Sequence, residues 1–224
     1  STFNLNSGTV KILGGANWSG NATQELDVPD LFTFNNLILG QSLALNSNSV
    51  TLRPISSRTI IVAGNFSQGN SDFAAASGMT YVTGTWQVGG NYTVGTDSKG
   101  GAAAITLNGT GAQSVTVGTG GTTPTGAFTV NKASGTATMT TALSLNAASQ
   151  TLTITAGTLD MATFALTVNS LLTVSAGGKL LCNGGTLTAG SYSILGEIAC
   201  GPSGGISWTG AAGNNLWNTA GNWT

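Results

Sequence analysis

Leu152-Thr153-Ile154-Thr155-Ala156-Gly157 and Leu172-Thr173-Val174-Ser175-Ala176-Gly177 are nearly one phrase written twice, 20 residues apart. Each alternates apolar with hydroxyl-bearing residues and closes on glycine, the pattern of a short strand buried on one face and followed by a turn. A unit of about 20 residues cannot bury its own apolar face, so it gains a core only by stacking on equivalent units. The expected fold is therefore all-β, a parallel β-helix (β-solenoid) in which each strand pairs with its equivalent in the next coil. At about 20 residues per coil the 224 residues make about eleven coils and, at the strand spacing of about 4.8 Å, a rod roughly 50 Å long. The whole chain, 1–224, reads as one elongated solenoid with a Trp-rich terminal segment at 206–224.

Working outward, LALN, VTLR, TIIVAG, TYVTGTW, AITLNG and QSVTVG have the same character, with Gly or Asn at their ends. No stretch repeats apolar residues at helical spacing. A longer unit of about a hundred residues recurs loosely: Phe32-Thr33-Phe34-Asn35 is matched by Phe128-Thr129-Val130-Asn131, and Leu43-Ala44-Leu45-Asn46 by Leu143-Ser144-Leu145-Asn146. Outward Thr and Ser are expected to form hydroxyl ladders, with Asn or Gly in turns that need positive φ. The alternative fold is a β-sandwich, which also has short, regularly spaced strands. The tight repeat and the scarcity of large core aromatics count against it.

KLLCNGG and EIACGPSGG give an independent register, with Lys179 on Glu197, Leu180 on Ile198 and Cys182 on Cys200. Stacked coils would bring both pairs together. Cys182 and Cys200 could form a disulfide in an oxidising compartment or remain two buried thiols, and Lys179 with Glu197 would be a weak exposed pair.

Only 6% of the residues are charged and the net charge is -1, with Lys11, Arg53, Arg58, Lys99, Lys132 and Lys179 scattered singly. That leaves no electrostatic footprint for nucleic acid or an anionic membrane surface, and no apolar run is long enough for a spanning helix. The opening STFNLNSGTV has neither a basic nor an apolar signal region, so an export signal is expected to have been removed or to lie outside this segment. A nearly uncharged, hydroxyl-rich surface suits a secreted protein at a bacterial cell surface.

There is no histidine, which removes the common triads, imidazole zinc ligands and the most frequent general base. The one acidic cluster is Glu25, Asp27 and Asp30 in ELDVPD; it could hold a hard cation or pair carboxylates, but it lacks a calcium-loop spacing and reads as a solvated loop. GTGGTTPTG and VGTDSKGG do not have phosphate-loop spacing and read as turns. Six N-x-[ST] triplets are what an Asn- and Thr-rich chain produces by chance. The expectation is a non-enzymatic protein with no metal or cofactor.

Three of the five tryptophans, Trp208, Trp217 and Trp223, fall in the closing ISWTGAAGNNLWNTAGNWT, and Asn222-Trp223-Thr224 repeats the signature of Asn17-Trp18-Ser19 near the start. FTFNNLIL, GTWQVGGNYTV, AITLNGTGAQSVTV, TLTITAGTLDMATFALTVNSLLTV and this tail resemble the repeats of bacterial surface proteins of the autotransporter-passenger and filamentous-adhesin type. The resemblance implies a right-handed parallel β-helix, exported and used in adhesion, matrix or filament building, with no catalytic residues to carry over and, here, no membrane-embedded barrel. Together these readings predict a structural subunit that polymerises with copies of itself, head to tail, through Trp18, Trp208, Trp217 and Trp223. One alternative is a carbohydrate-binding or polysaccharide-degrading β-helix that uses stacked tryptophans with the ELDVPD acids or Arg53 and Arg58, and would take surface glycans as partners. Another is a spacer segment of a large adhesin.

Overall fold

The computed structural model of the chain describes residues 8–14, 22–41, 50–54, 58–69 and 80–200, all β-strand and turn. In the first three coils the strands come three to a coil. The first coil is β1 (Thr9–Gly14), β2 (Ala22–Leu26) and β3 (Phe32–Phe34); the second is β4 (Asn36–Gln41), β5 (Val50–Pro54) and β6 (Thr59–Val62); the third is β7 (Phe66–Gln68), β8 (Thr80–Val82) and β9 (Thr85–Val88). Then follow β10 (Tyr92–Val94), β11 (Ala104–Leu107) and β12 (Gln113–Val117). From β13 (Phe128–Met139) onward single strands run through corners: β14 (Leu143–Leu145) is short, whereas β15 (Leu152–Asp160) and β17 (Leu187–Ile194) each serve two faces and β16 (Leu166–Leu181) serves three before β18 (Glu197–Ala199).

Every strand pairing among the described residues is parallel, and each joins a strand to its equivalent one coil away. A β-solenoid results, not the antiparallel sandwich held as the alternative. The repeated phrase takes the register expected of it, Leu152 on Leu172, Thr153 on Thr173 and Ile154 on Val174, before a bulge shifts Ala156 onto Gly177. Lys179 lies on Glu197 and Leu180 on Ile198. Phe32 and Phe128 share a ladder through Ile60, Trp86 and Ile105, so the hundred-residue repeat is a whole number of coils.

A uniform 20-residue coil, and with it a count of eleven, is not what the registers give. Along the first ladder the step is 27 residues from Val10 to Leu37, 29 to Phe66, 26 to Tyr92, 23 to Val115 and 24 to Met139. It is then 22 from Thr138 to Asp160, 21 to Leu181 and 18 to Ala199. The solenoid tapers.

Alternation sends every second side chain inward. On the second ladder Ile60, Trp86, Ile105, Phe128, Leu152 and Leu172 stack in register and are at most 1% exposed. Aromatics are more prominent in this core than expected: Phe66 stacks on Trp86 with ring centroids 5.0 Å apart and an interplanar angle of 10°, and Tyr92 bridges Phe66 to Phe128. Outward, Thr106, Thr129, Thr153 and Thr173 occupy successive rungs, and on the first ladder the Thr116 and Thr140 hydroxyls meet at 2.6 Å.

The asparagines act differently from the expectation. Among the described residues four non-glycine residues have positive φ, Leu31, Asp97, Ala162 and Asn183, and only one of these is asparagine. Asn36, Asn65 and Asn91 instead form a side-chain ladder: each Oδ1 accepts the backbone N–H one coil on, from Asn65, Asn91 and Ser114, all at 2.8 Å. The carboxamide supplies an acceptor where the turning backbone has none. Glycine is demanded sterically at Gly157, whose φ is +77° and whose added Cβ would stand 2.7 Å from the Cβ of Lys132.

Candidate functional site

The corners of a coil turn peptide carbonyls inward, and buried carbonyls need donors. Three buried glutamines and a lysine supply them. Gln68 Nε2 donates to Gly100 O at 2.7 Å while its Oε1 accepts from the Tyr92 hydroxyl at 3.1 Å, and burial raises the Tyr92 hydroxyl well above the usual phenol range. Gln113 Nε2 donates to Val88 O at 2.9 Å, and Gln150 Nε2 to Gly126 O at 3.1 Å. Lys132, 1% exposed, sits where β13 breaks register and donates to Gly109 O at 2.6 Å, Gly111 O at 2.9 Å and Gln113 Oε1 at 2.5 Å. Three neutral oxygens surround the ammonium, with no carboxylate among them. Desolvation lowers its pKa below that of an ordinary lysine. The arrangement binds coils together and leaves no vacancy for a reactant.

The acidic cluster is also engaged. Asp27 Oδ1 lies 2.9 Å from Arg58, which also donates to Val28 O, and Asp30 Oδ1 accepts the Thr59 N–H at 2.7 Å. Glu25 is in register with Arg53. These contacts staple the first coil to the second, which gives Asp27, Asp30 and Arg58 a structural role. Among the described residues no group of three His, Cys, Asp or Glu side chains could hold a metal ion.

Cys182 and Cys200 face each other across neighbouring coils, joined as a disulfide with Cα atoms 4.5 Å apart. Lys179 Nζ and Glu197 Oε1 are 2.6 Å apart on the same pair of coils, both substantially exposed. Trp18, Trp208, Trp217 and Trp223 lie outside the described residues, as does the segment 206–224. The fifth tryptophan, Trp86, is wholly buried, its indole N–H donating to Thr83 O at 2.7 Å.

At the edges of the described residues the inward ladders change character. Leu172 is 0% exposed, whereas Tyr192, the next rung on the same ladder, is 43% exposed. Ile194 and Ile198 nearby are only partly buried, and at the other extremity so are Val10, Ile12 and Phe32. Among the described residues β1, β2 and β3 pair on one side only, as do β17 and β18.

The third face carries a separate feature. Between β8 and β14 its ladder has no strand, only the isolated bridges Val82 to Gly101 and Lys99 to Thr122. A groove of about 1300 Å³ opens there, walled by Thr83, Lys99, Thr119, Thr122, Ser144 and Asn146. Nothing in the sequence marked it, because the bridging segments are glycine- and threonine-rich turns like many others in the chain. Comparison with protein-family models, curated proteins and solved structures gives no match.

Proposed function

We propose that the chain is a non-enzymatic structural subunit of an extracellular filament or matrix fibre on a bacterial surface, with copies joined head to tail, end rung on end rung. The observation that carries this reading is the half-exposed Tyr192 on a ladder whose rungs from Ile60 to Leu172 are sealed. A core position that opens at an end rung, beside strands paired on one side only, is both an apolar face and a row of backbone donors and acceptors suited to another solenoid end. The two ends differ, so their contact is heterologous and propagates as a fibre instead of closing as a dimer. The segment 206–224, with Trp208, Trp217 and Trp223, follows the C-terminal rung in sequence and meets the coils around Trp18 in the next copy. The winding is right-handed, as parallel crossover connections are. A disulfide suits an oxidising compartment, and a nearly uncharged hydroxyl surface suits a secreted one.

Electron microscopy and light scattering on the purified full chain test the proposal. Unbranched filaments are expected, and removal of 206–224 should leave single particles. Filaments unchanged by the deletion would exclude the tail as the joint, and a monodisperse monomer from the intact chain at high concentration would overturn the reading.

A further inference from the structure

The groove on the third face has properties the structural reading does not use. It follows the solenoid axis across several coils, so equivalent wall positions recur about every 4.8 Å, close to the length of one sugar ring in an extended chain. Its backbone is already committed: Gly100 N–H donates to Thr122 O, Thr122 N–H to Ser98 O, and Thr125 N–H to Gly101 O. A peptide strand therefore finds no edge to extend, and recognition falls to side chains. Lys99, Thr119, Ser144 and Asn146 line the groove and make no side-chain hydrogen bond or ion pair among the described residues. Thr83 Oγ1 in the same wall is, among the described residues, the one buried side-chain polar atom without a hydrogen-bond partner. Such an orphan is costly unless a bound group satisfies it. No carboxylate lines the groove, and Lys99 is its only charge.

We propose that this groove binds an acidic polysaccharide chain lying along the solenoid axis, with one uronate carboxylate on Lys99 Nζ and ring hydroxyls on Thr83, Thr119, Ser144 and Asn146. The site is independent of polymerisation, since it lies on a lateral face two coils in from the outermost described rung on either side.

Calorimetric titration of the full chain with a uronic-acid tetrasaccharide, beside a neutral tetrasaccharide of glucose, tests it. The uronate is expected to bind and the neutral sugar to bind at least about tenfold more weakly, the scale of one charged hydrogen bond. Lys99→Ala should remove that preference, and Asn146→Ala should weaken both sugars. Both side chains are solvent-accessible, so a parental circular dichroism spectrum and melting temperature are expected for each variant. No uronate binding by the intact chain, equal binding of the two sugars, or uronate binding unaltered in Lys99→Ala would overturn the proposal.

Discussion

Along the first ladder one coil takes 23 to 29 residues as far as Met139; from Leu152 onward it takes 18 to 21 on the ladders that carry Cys182 and the repeated phrase. Both regions stack strands at the same spacing, so the difference lies in the cross-section each must fill. The wide coils enclose more space than aliphatic side chains from three faces can reach. They contain Phe66, Trp86, Tyr92 and Phe128, with Gln68, Gln113 and Lys132 serving inward carbonyls. In the narrow coils Leu152, Ile154, Leu159, Met161, Leu166, Val168, Leu172, Val174, Leu180 and Cys182 close the core with no fully buried aromatic side chain. Interiors pack to near-crystalline density, so circumference and side-chain volume change together. Where the chain spends more residues per turn, it must also place larger or polar groups inside.

The largest expected effect is in the wide coils. Trp86→Ala should cost about 3–5 kcal/mol, since it deletes a fully buried indole stacked on Phe66 and orphans Thr83 O. Urea denaturation would measure it, and a loss below about 1 kcal/mol would break the link between coil width and aromatic filling. In the narrow coils, replacing Cys182 and Cys200 by serine should cost about 3 kcal/mol under oxidising conditions, the scale for a closed loop of this size. Intact mass before and after reduction should differ by about two hydrogens, the atoms gained by one S–S bond.

Lys132→Met should cost about 1–3 kcal/mol, because Gly109 O and Gly111 O lose their donor. The same residue sets a sign for pH dependence. Burial lowers its folded-state pKa below the unfolded value of 10.5, so between those two values the unfolded chain binds more protons. The Lys132 contribution to unfolding free energy therefore rises with pH across that window, and the stability curves of parent and variant should diverge there, the parent gaining on the variant. Parallel curves would contradict the buried placement. The smallest effect belongs to the exposed pair: Lys179→Ala with Glu197→Ala should show a coupling under about 1 kcal/mol that fades with salt.

The same contrast explains what could be read from sequence. The narrow coils contain little beyond the strands themselves, so Leu152 and Leu172, or Lys179 and Glu197, remain recognisable as equivalents and their registers follow. In the wide coils the corners lengthen unequally and the repeat dissolves, although Phe32 and Phe128 still mark the same ladder. Gln68, Gln113, Gln150 and Lys132 were invisible because what selects them is an inward carbonyl from another coil, which leaves no periodic trace. The asparagine ladder was within reach: Asn36, Asn65 and Asn91 each immediately precede an inward apolar residue of the first ladder, at intervals of one coil. The lateral groove was not, since it arises where a ladder fails, and sequence patterns report where ladders form.

The stacking itself is most directly tested by a distance. Thr33 and Thr173 lie on one outward ladder, six rungs apart through Ile61, Gln87, Thr106, Thr129 and Thr153. Spin labels at these two positions, in protein diluted with unlabelled chain to suppress contacts between copies, should give a single narrow distribution near about 29 Å at the strand spacing. A distribution centred below about 20 Å, or one too broad to define a mean, would contradict coils stacked in this register.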